Sequence, residues 1–341
     1  MKVCLYLEFA DSPLVRKSGF WTAFTNQRRA LEKLGVKVST NPEGSDYDIL
    51  HIHSYGPRSF RYLMRAKREG KRVIVHAHSV GRYDLKNSFI FANLIAPFYE
   101  YYLHSYYRRA DTLFTPSERA RELLRAQGLR GRIEVVPNCI EPERLRFEAT
   151  KREKNRKDLS LSRFTVISAG NVIPRKGILD FIDVATMLPE YDFVWYGQRW
   201  GAIGFNPRVE RRLRNRPKNL HMPGFTDDMQ AALSGGDLFF FPSYGETQSL
   251  VLLEASACGL PLVVRDLPEY ETWLVEGENC LKGKNTEEFA ALVTQVAADG
   301  KLRERLSAAA RATADEYSLE RIGRKLVELY TELLDEGEPF G

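Results

Sequence analysis

The chain has 341 residues, 43% of them hydrophobic, and a formal net charge of +5 at pH 7. Its length exceeds that of most single domains, so the sequence predicts two domains, each with its own core. The sequence contains no run of 18 or more apolar residues, so no membrane-spanning helix is predicted. The four cysteines are scattered and lack the spacing of a structural zinc site, which favours a reducing compartment.

Apolar strands alternate with helices in the first half of the chain. Strands are predicted at 2–7, 48–53, 72–77, 112–116 and 133–136, and helices at 20–34, 60–69, 87–109 and 118–127. Continuously apolar strands separated by helices are typical of a parallel sheet covered on both faces. Residues 1–145 are therefore predicted to form a first α/β domain.

A highly charged stretch interrupts this alternation, and residues 146–160 are predicted to form an exposed linker. Strands then recur at 164–169, 193–196, 238–241 and 261–265, and helices at 178–187, 228–234, 250–258 and throughout 286–334. Residues 161–318 are predicted to form a second domain. The expected fold class is α/β, with two doubly wound, Rossmann-like domains.

Polar loops containing glycine precede several predicted helices, at 16–19, 170–177 and 245–249. Ligands of open parallel sheets bind beyond the carboxyl ends of the strands, where helix N-termini offer N–H groups to an anion. A diphosphate would suit these loops. The chain has neither G-x-G-x-x-G nor G-x-x-x-x-G-K-[ST], which disfavours a dinucleotide oxidoreductase or a P-loop enzyme.

Two glutamates, Glu246 and Glu254, lie eight residues apart at the start of a predicted helix. With their surrounding segments, 240–246 and 253–261, they resemble the signature of the retaining glycosyltransferase family 4. Further matches are Arg175-Lys176-Gly177, Thr115-Pro116-Ser117 and Val136-Pro137-Asn138, in the order expected for that family. The resemblance covers nearly the whole chain and implies the GT-B fold, in which two doubly wound domains face a cleft. It also implies that the tail helix, 319–335, packs back on the first domain.

The resemblance implies three catalytic residues. Glu246 would contact the sugar hydroxyls near the anomeric carbon, and His78 would lie near the donor sugar. Lys176 would neutralise the departing nucleotide diphosphate, since a fixed cation stabilises the negative charge that develops there.

The residues implied for donor binding are Gly19, Asn171, Arg175, Lys176, Thr247, Gln248, Ser249 and Glu254. Glu254 would accept hydrogen bonds from the ribose hydroxyls, which a carboxylate can do in pairs. Many family members carry arginine at the position of Asn171, so Arg175 is the candidate to replace it. The expected co-substrate is a nucleotide diphosphate sugar, with UDP-hexose favoured, and no other cofactor.

Two His-x-His pairs, His51/His53 and His76/His78, each place alternate side chains on one face of a strand. A metal ion could use such a pair, but no carboxylate or cysteine lies at a fitting spacing. The family usually needs no metal. We therefore expect no metal ligand and no metal requirement.

The acceptor side resembles one branch of the family, the diacylglycerol glycosyltransferases of bacterial and archaeal membranes, notably at 77–79, 87–89, 93–97 and 265–268. Residues 1–150 carry 25 Lys and Arg against 16 Asp and Glu, a net +9 against −4 for the remainder. Basic groups beside aromatic ones suit an anionic membrane surface, although the aromatic helix near residue 100 can equally be core. The candidate acceptor or membrane contacts are Arg82, Lys86, Phe89, Phe91, Arg108 and Arg109.

The sequence thus predicts a retaining transferase that moves a hexose, glucose first, from UDP-hexose to diacylglycerol or a glycosyl-diacylglycerol at the cytoplasmic face of a membrane. A polyprenyl-linked or soluble saccharide is the alternative acceptor. A non-catalytic nucleotide-sugar-binding protein and a nucleotide-sugar epimerase are more distant alternatives, since fold alone does not fix function. Nucleic acid is not an expected partner, because no recognition module is visible.

Overall fold

A computed structural model describes residues 1–85, 92–199 and 206–336. The chain divides into two compact units. The first comprises Met1–Asp84, Ile95–Ile140 and the tail from Tyr317, and the second consists chiefly of Glu141–Glu316. Each unit contains a six-stranded sheet in which neighbouring strands run parallel, which confirms the expected fold class.

The strands are β1 (Lys2–Tyr6), β2 (Lys37–Ser39), β3 (Ile49–Ile52), β4 (Arg72–His76), β5 (Thr112–Thr115), β6 (Arg132–Val135), β7 (Thr165–Ala169), β8 (Asp192–Tyr196), β9 (Leu220–Gly224), β10 (Leu238–Phe241), β11 (Leu262–Arg265) and β12 (Leu281–Gly283). The α-helices in the described ranges are α1 (Pro13–Arg16), α2 (Gly19–Lys33), α3 (Pro57–Arg68), α4 (Arg82–Leu85), α5 (Ala92–Tyr107), α6 (Glu118–Ala126), α7 (Ala149–Asp158), α8 (Ile178–Met187), α9 (Pro207–Arg214), α10 (Met229–Ser234), α11 (Leu250–Cys258), α12 (Thr286–Ala298), α13 (Gly300–Glu316) and α14 (Leu319–Asp335). No helix among these is both long and apolar enough to span a bilayer.

The sheet of the first unit has the strand order β2-β1-β3-β4-β5-β6. Side chains alternate between its two faces, so Val3 and Ile49 pack toward α2 and α14, whereas Leu50 and Val75 pack toward α3, α5 and α6. The tail helix α14 is part of this unit. Its Gly323 lies so close to α2 that an added Cβ would come within 3.2 Å of Ala30.

The sheet of the second unit has the order β12-β11-β10-β7-β8-β9, the arrangement of a Rossmann fold. Its core contains a cluster of rings in which Phe181 stacks on Phe240 at a centroid distance of 5.6 Å and meets Trp195 edge-on at 5.2 Å. The strand order reverses between β7 and β10, because the chain adds β8 and β9 on one side and β11 and β12 on the other. The loops that follow β7 and β10 therefore lie next to each other.

The stretch expected as an exposed linker, 146–160, is largely the helix α7 and belongs to the second unit. Arg152 and Arg156 hold it there through ion pairs of 2.7 and 3.3 Å with Asp237, the residue directly before β10. The basic residues that led us to expect an exposed linker therefore form ion pairs within the second unit. The short strands β2, β9 and β12 and the helix α9 also differ from expectation, and the helical tail is three helices rather than one continuous segment.

Candidate active site

The loops 170–177 and 242–249 follow β7 and β10, the two strands between which the sheet order reverses. Their contact depends on Gly177, whose φ of +78° lies in the left-handed region. A Cβ at this position would come within 2.2 Å of the carbonyl oxygen of Pro242, so only glycine allows the two loops to approach this closely. The loops form a site of the kind where open parallel sheets bind ligands.

Lys176 and Glu246 form an ion pair between these loops, with 2.6 Å between Nζ and Oε1. The Ser243 hydroxyl donates to the same oxygen at 2.6 Å. Burial opposes ionisation of Glu246, but the charges of Lys176 and Arg175 and the hydrogen bonds from Lys176 and Ser243 outweigh it and lower its pKa. Glu246 is therefore a carboxylate at neutral pH, held in place by a nearly buried ammonium.

Arg175 also makes hydrogen bonds with the loop 242–249. Its Nη1 donates to the carbonyl oxygen of Gly245 at 2.6 Å, and its own carbonyl oxygen accepts from the backbone N–H of Tyr244 at 2.8 Å. Asn171, the other candidate of this loop, lies two residues after the end of β7 and is partly buried. Two cations, Arg175 and Lys176, therefore stand directly before α8 and can offset the charge of an anionic ligand.

Two buried charged residues, Asp180 and Arg265, contact Tyr244, the residue before Gly245. Asp180 of α8 accepts from the hydroxyl of Tyr244 and from Nη2 of Arg265, both at 3.1 Å, and the Arg265 guanidinium lies 3.8 Å from the centroid of the Tyr244 ring. Sequence reasoning did not assign a role to Ser243, Asp180 or Arg265. The available signal was a charged residue inside each of two apolar segments, which requires a buried partner.

The helix α11 begins at Leu250, directly after Thr247, Gln248 and Ser249. Ser249 is the N-cap, but its side chain makes no capping hydrogen bond. The first N–H groups of a helix have no partner within it and suit an anion. The three polar candidates thus lie between Glu246 and this helix end.

Glu254 lies in the second turn of α11 and is partly buried. Its carboxyl group has no hydrogen-bond or ion-pair partner among the residues that the structure describes. Burial raises its pKa to about 7. The two glutamates of the sequence motif therefore lie in opposite environments, one paired and ionised and the other unpaired and half protonated near neutral pH.

The remaining candidates belong to the first unit. Gly19 is the first residue of α2, after the N-cap Ser18, whose side chain accepts from the N–H of Trp21. His78 follows β4, with its Nε2 3.0 Å from Nδ1 of His53, and burial lowers its pKa to about 3, so that its ring is neutral.

Of the candidate acceptor residues, Arg82, Arg108 and Arg109 lie on or next to α4 and α5. Arg82, Arg108 and Arg109 are exposed, and Arg82 is 3.6 Å from Glu100. Lys86, Phe89 and Phe91 lie outside the described residues.

One face of α5 exposes large apolar side chains, with exposed fractions of 43% for Ile95, 77% for Phe98, 79% for Tyr101 and 40% for Tyr102. We call these four residues the aromatic face of α5. The opposite side of the helix, including Leu103, is buried in the first unit. Exposed apolar groups in one contiguous patch indicate an interaction surface.

Two family models match the chain, "Glycosyltransferase Family 4" over residues 10–144 and "Glycosyl transferases group 1" over residues 150–313. The processive diacylglycerol alpha-glucosyltransferase of Acholeplasma laidlawii is 34% identical over 98% of this chain and 99% of its own length. The alpha-galactosylglucosyldiacylglycerol synthase of Streptococcus pneumoniae is 29% identical over 83% of this chain and 77% of its own length. These matches confirm the family resemblance.

Solved structures show the same fold. HepE of Anabaena, in complex with UDP and glucose, superposes with a TM-score of 0.78 at 15% identity and covers 97% of this chain and 99% of its own. WaaG, a glycosyltransferase involved in lipopolysaccharide biosynthesis, superposes with a TM-score of 0.67 at 16% identity and covers 96% of this chain and 99% of its own. The fold is GT-B.

The first prediction concerns the ion pair. Lys176→Met leaves a buried carboxylate without its main partner, and we expect it to lower the free energy of unfolding at pH 7 by about 3 kcal/mol. The loss should shrink as the pH falls and Glu246 becomes protonated. Replacing both partners, as Lys176→Met with Glu246→Gln, should restore most of the stability in urea denaturation. The control is Lys284→Met, whose side chain is 72% exposed. A single substitution no more costly than this control would contradict the prediction.

The second prediction concerns Glu254. Burial raises its pKa from the usual 4.5 to about 7 in the folded protein. Between these two pH values the native state keeps a proton that the unfolded chain releases, so the free energy of unfolding falls as the pH rises. Glu254→Gln removes this penalty. We expect its free energy of unfolding to exceed that of the wild type by about 1–3 kcal/mol at pH 8 and to match it at pH 4. The exposed Glu304→Gln should show no such pH-dependent difference, and equal pH profiles for all three proteins would refute the prediction.

Proposed function

This chain belongs to the glycosyltransferases of family 4 and is a hexosyltransferase, and we propose that it transfers glucose from UDP-glucose to a membrane lipid with retention of configuration. The acceptor is diacylglycerol or a glycosyl-diacylglycerol. The observation that carries the proposal is the Lys176–Glu246 pair at the reversal of the strand order, in a chain whose relatives of similar length act on diacylglycerol lipids.

The donor's diphosphate would lie against Lys176, Arg175 and the start of α11. Cleavage of the bond to the sugar leaves negative charge on the departing diphosphate, and cations and helix N–H groups already in position stabilise that charge without reorganisation. Arg175 takes the place of the arginine that is absent at Asn171. These two cations of the second unit would neutralise the negative charge of the leaving diphosphate. We therefore propose that transfer needs no added metal.

The two glutamates would bind different parts of the donor. Glu246, kept ionised, accepts hydrogen bonds from hydroxyls of the transferred sugar and stabilises positive charge near its anomeric carbon. Glu254 has no protein partner among the described residues, so both of its oxygens can accept from the vicinal ribose hydroxyls. Hydrogen bonds to a carboxylate favour its charged form, so nucleotide binding would lower the pKa of Glu254 and release a proton near neutral pH.

His78 and Gly19 would serve the reaction from the first unit. A neutral imidazole donates through one ring nitrogen and accepts through the other, which suits a hydroxyl of the sugar. The low pKa of His78 argues against a role as a cationic acid. A side chain at Gly19 would project into open space at the start of α2, and its absence leaves backbone N–H groups accessible to the diphosphate.

The aromatic face of α5 would bind the membrane that contains the acceptor. Exposed aromatic and aliphatic groups partition into the interface of a bilayer, and nearby arginines attract anionic headgroups. Arg82, Arg108 and Arg109 supply this charge close to α5 in sequence. We propose a peripheral position at the cytoplasmic face of the membrane, where the nucleotide sugar is available.

The experiment that tests the reaction is the release of UDP from UDP-glucose, with and without diacylglycerol in anionic vesicles. We expect release that depends on the lipid, an α-linked glycolipid product, and a loss of roughly 100-fold or more in Glu246→Gln. Glu304→Gln, at an exposed position of α13, is the matched control. Release only with polyprenyl-linked or soluble saccharides would retain the transferase and reject the lipid acceptor, and no release with any acceptor would reject the proposed reaction.

The membrane surface has its own prediction. Replacing Phe98 and Tyr101 by serine removes two exposed rings, and we expect vesicle affinity in flotation assays to fall by roughly 10-fold or more. The control is Phe147→Ser, because Phe147 is an aromatic residue with 53% exposure in the second unit. Raising the salt concentration should weaken the binding of the wild type further, since headgroup attraction is screened. Equal flotation of the double variant and the control would show that the aromatic face of α5 does not contribute to membrane binding.

A further inference from the structure

Three histidines of the first unit, His51, His53 and His76, lie on neighbouring strands, and we call them the histidine cluster. β3 and β4 are parallel, with Ile52 opposite Val75, so the next residues along, His53 and His76, lie side by side. The side chains lie on the face of the sheet that α2 and α14 cover, and all three are 0% exposed.

Nitrogens of the three rings lie close together. One nitrogen from each residue lies within 4.8 Å of one from each of the others, and the ring centroids are 4.5 to 5.5 Å apart. The Nε2 atoms of all three rings are buried and have no hydrogen-bond partner among the described residues. A buried nitrogen without a hydrogen-bond partner costs about 1–3 kcal/mol, so three in one place favour a ligand that uses all three.

The opposite nitrogen of each ring does have a partner. Nδ1 of His51 is 2.6 Å from the hydroxyl of Tyr330, and Nδ1 of His53 is 3.0 Å from Nε2 of His78. Nδ1 of His76 is 3.3 Å from Nε2 of Gln27. Oε1 of Gln27 is also buried without a partner, and exchanging the two amide atoms would let this oxygen accept a hydrogen bond from Nδ1 of His76. If each Nδ1 donates to its partner, every Nε2 keeps a lone pair, which is the tautomer found in metal-binding histidines.

We propose that the histidine cluster binds one transition-metal ion of the zinc or copper class through the three Nε2 atoms. Imidazole nitrogens suit these ions, whereas magnesium and calcium require oxygen ligands. A zinc ion at about 2.0–2.1 Å from each nitrogen needs the nitrogens roughly 3.3 Å apart, so the rings, which are nearly parallel in the pairs His51–His76 and His53–His76, would have to rotate to bind it. The site combines the His51/His53 pair of β3 with His76, one member of the pair on β4. It does not depend on the proposed transfer reaction.

A bound ion would have two consequences within the first unit. It would tie β3 to β4 beneath α2 and α14, and it would keep the proton of His53 on Nδ1. Nε2 of His78 would then act as the acceptor, which leaves the proton of the neutral His78 ring on Nδ1. The ion would thus select the tautomer of His78 through His53.

The test is metal binding by the full chain, purified without a histidine tag and stripped with a chelator. Titration with Zn²⁺ against a chromophoric chelator should show one tight equivalent, and zinc should raise the Tm. His53→Leu and His76→Leu should weaken binding by at least roughly 100-fold, with no zinc-dependent change in Tm. His221→Leu, a histidine of β9 in the second unit, is the matched control and should bind as the wild type does.

A measurement on the wild type alone covers the case in which a cluster variant does not fold. Co²⁺ bound by three Nε2 atoms should give the visible absorption of a low-coordinate site and three exchangeable, hyperfine-shifted Nδ1–H signals in the proton NMR spectrum. Saturable binding of one ion with three such signals supports the site. The absence of saturable binding, fewer than three signals, or equal zinc affinity in wild type and a folded His76→Leu variant would overturn it.

Discussion

The ion pair between Lys176 and Glu246 depends on the order of strands in the second sheet. The two residues are 70 positions apart in the chain, yet they meet because β7 and β10 are neighbours where that order reverses. Neither side chain could be buried alone without a large desolvation cost. Each charge therefore offsets the cost of burying the other, and the surrounding loops hold the two side chains in contact.

Backbone geometry enforces this contact as much as charge does. Gly177 allows the first loop to touch the carbonyl group of Pro242, and Arg175 returns a hydrogen bond to Gly245. The buried Asp180–Arg265 pair then fixes Tyr244 from the opposite side. These contacts hold the loop that carries Glu246, and electrostatic stabilisation of a transition state requires charges that are already in position, which agrees with the role proposed for Glu246.

The sequence predicted the long central strands and most helices because their apolar patterns are continuous. It did not predict β2 or β12, since three-residue edge strands carry too little pattern, and it mistook α7 for a linker because its basic residues have partners far away in the chain. The loops around Lys176 and Glu246 were found from glycine and charge content together with family resemblance. Their direct pairing, and the roles of Ser243 and Arg265, depend on strand neighbours that local sequence does not specify.

Glu246 and Glu254 lie on one loop and helix, yet their environments move their pKa values in opposite directions. Environments that separate the pKa values of two like groups indicate two different tasks. A fixed, paired carboxylate suits a site where positive charge develops, because its charge must already be present. An unpaired one suits ligand binding, since the cost of burying its charge is offset only when hydroxyl donors arrive. The raised pKa of the buried Glu254 therefore agrees with its proposed role as an acceptor of hydrogen bonds from the donor's ribose hydroxyls.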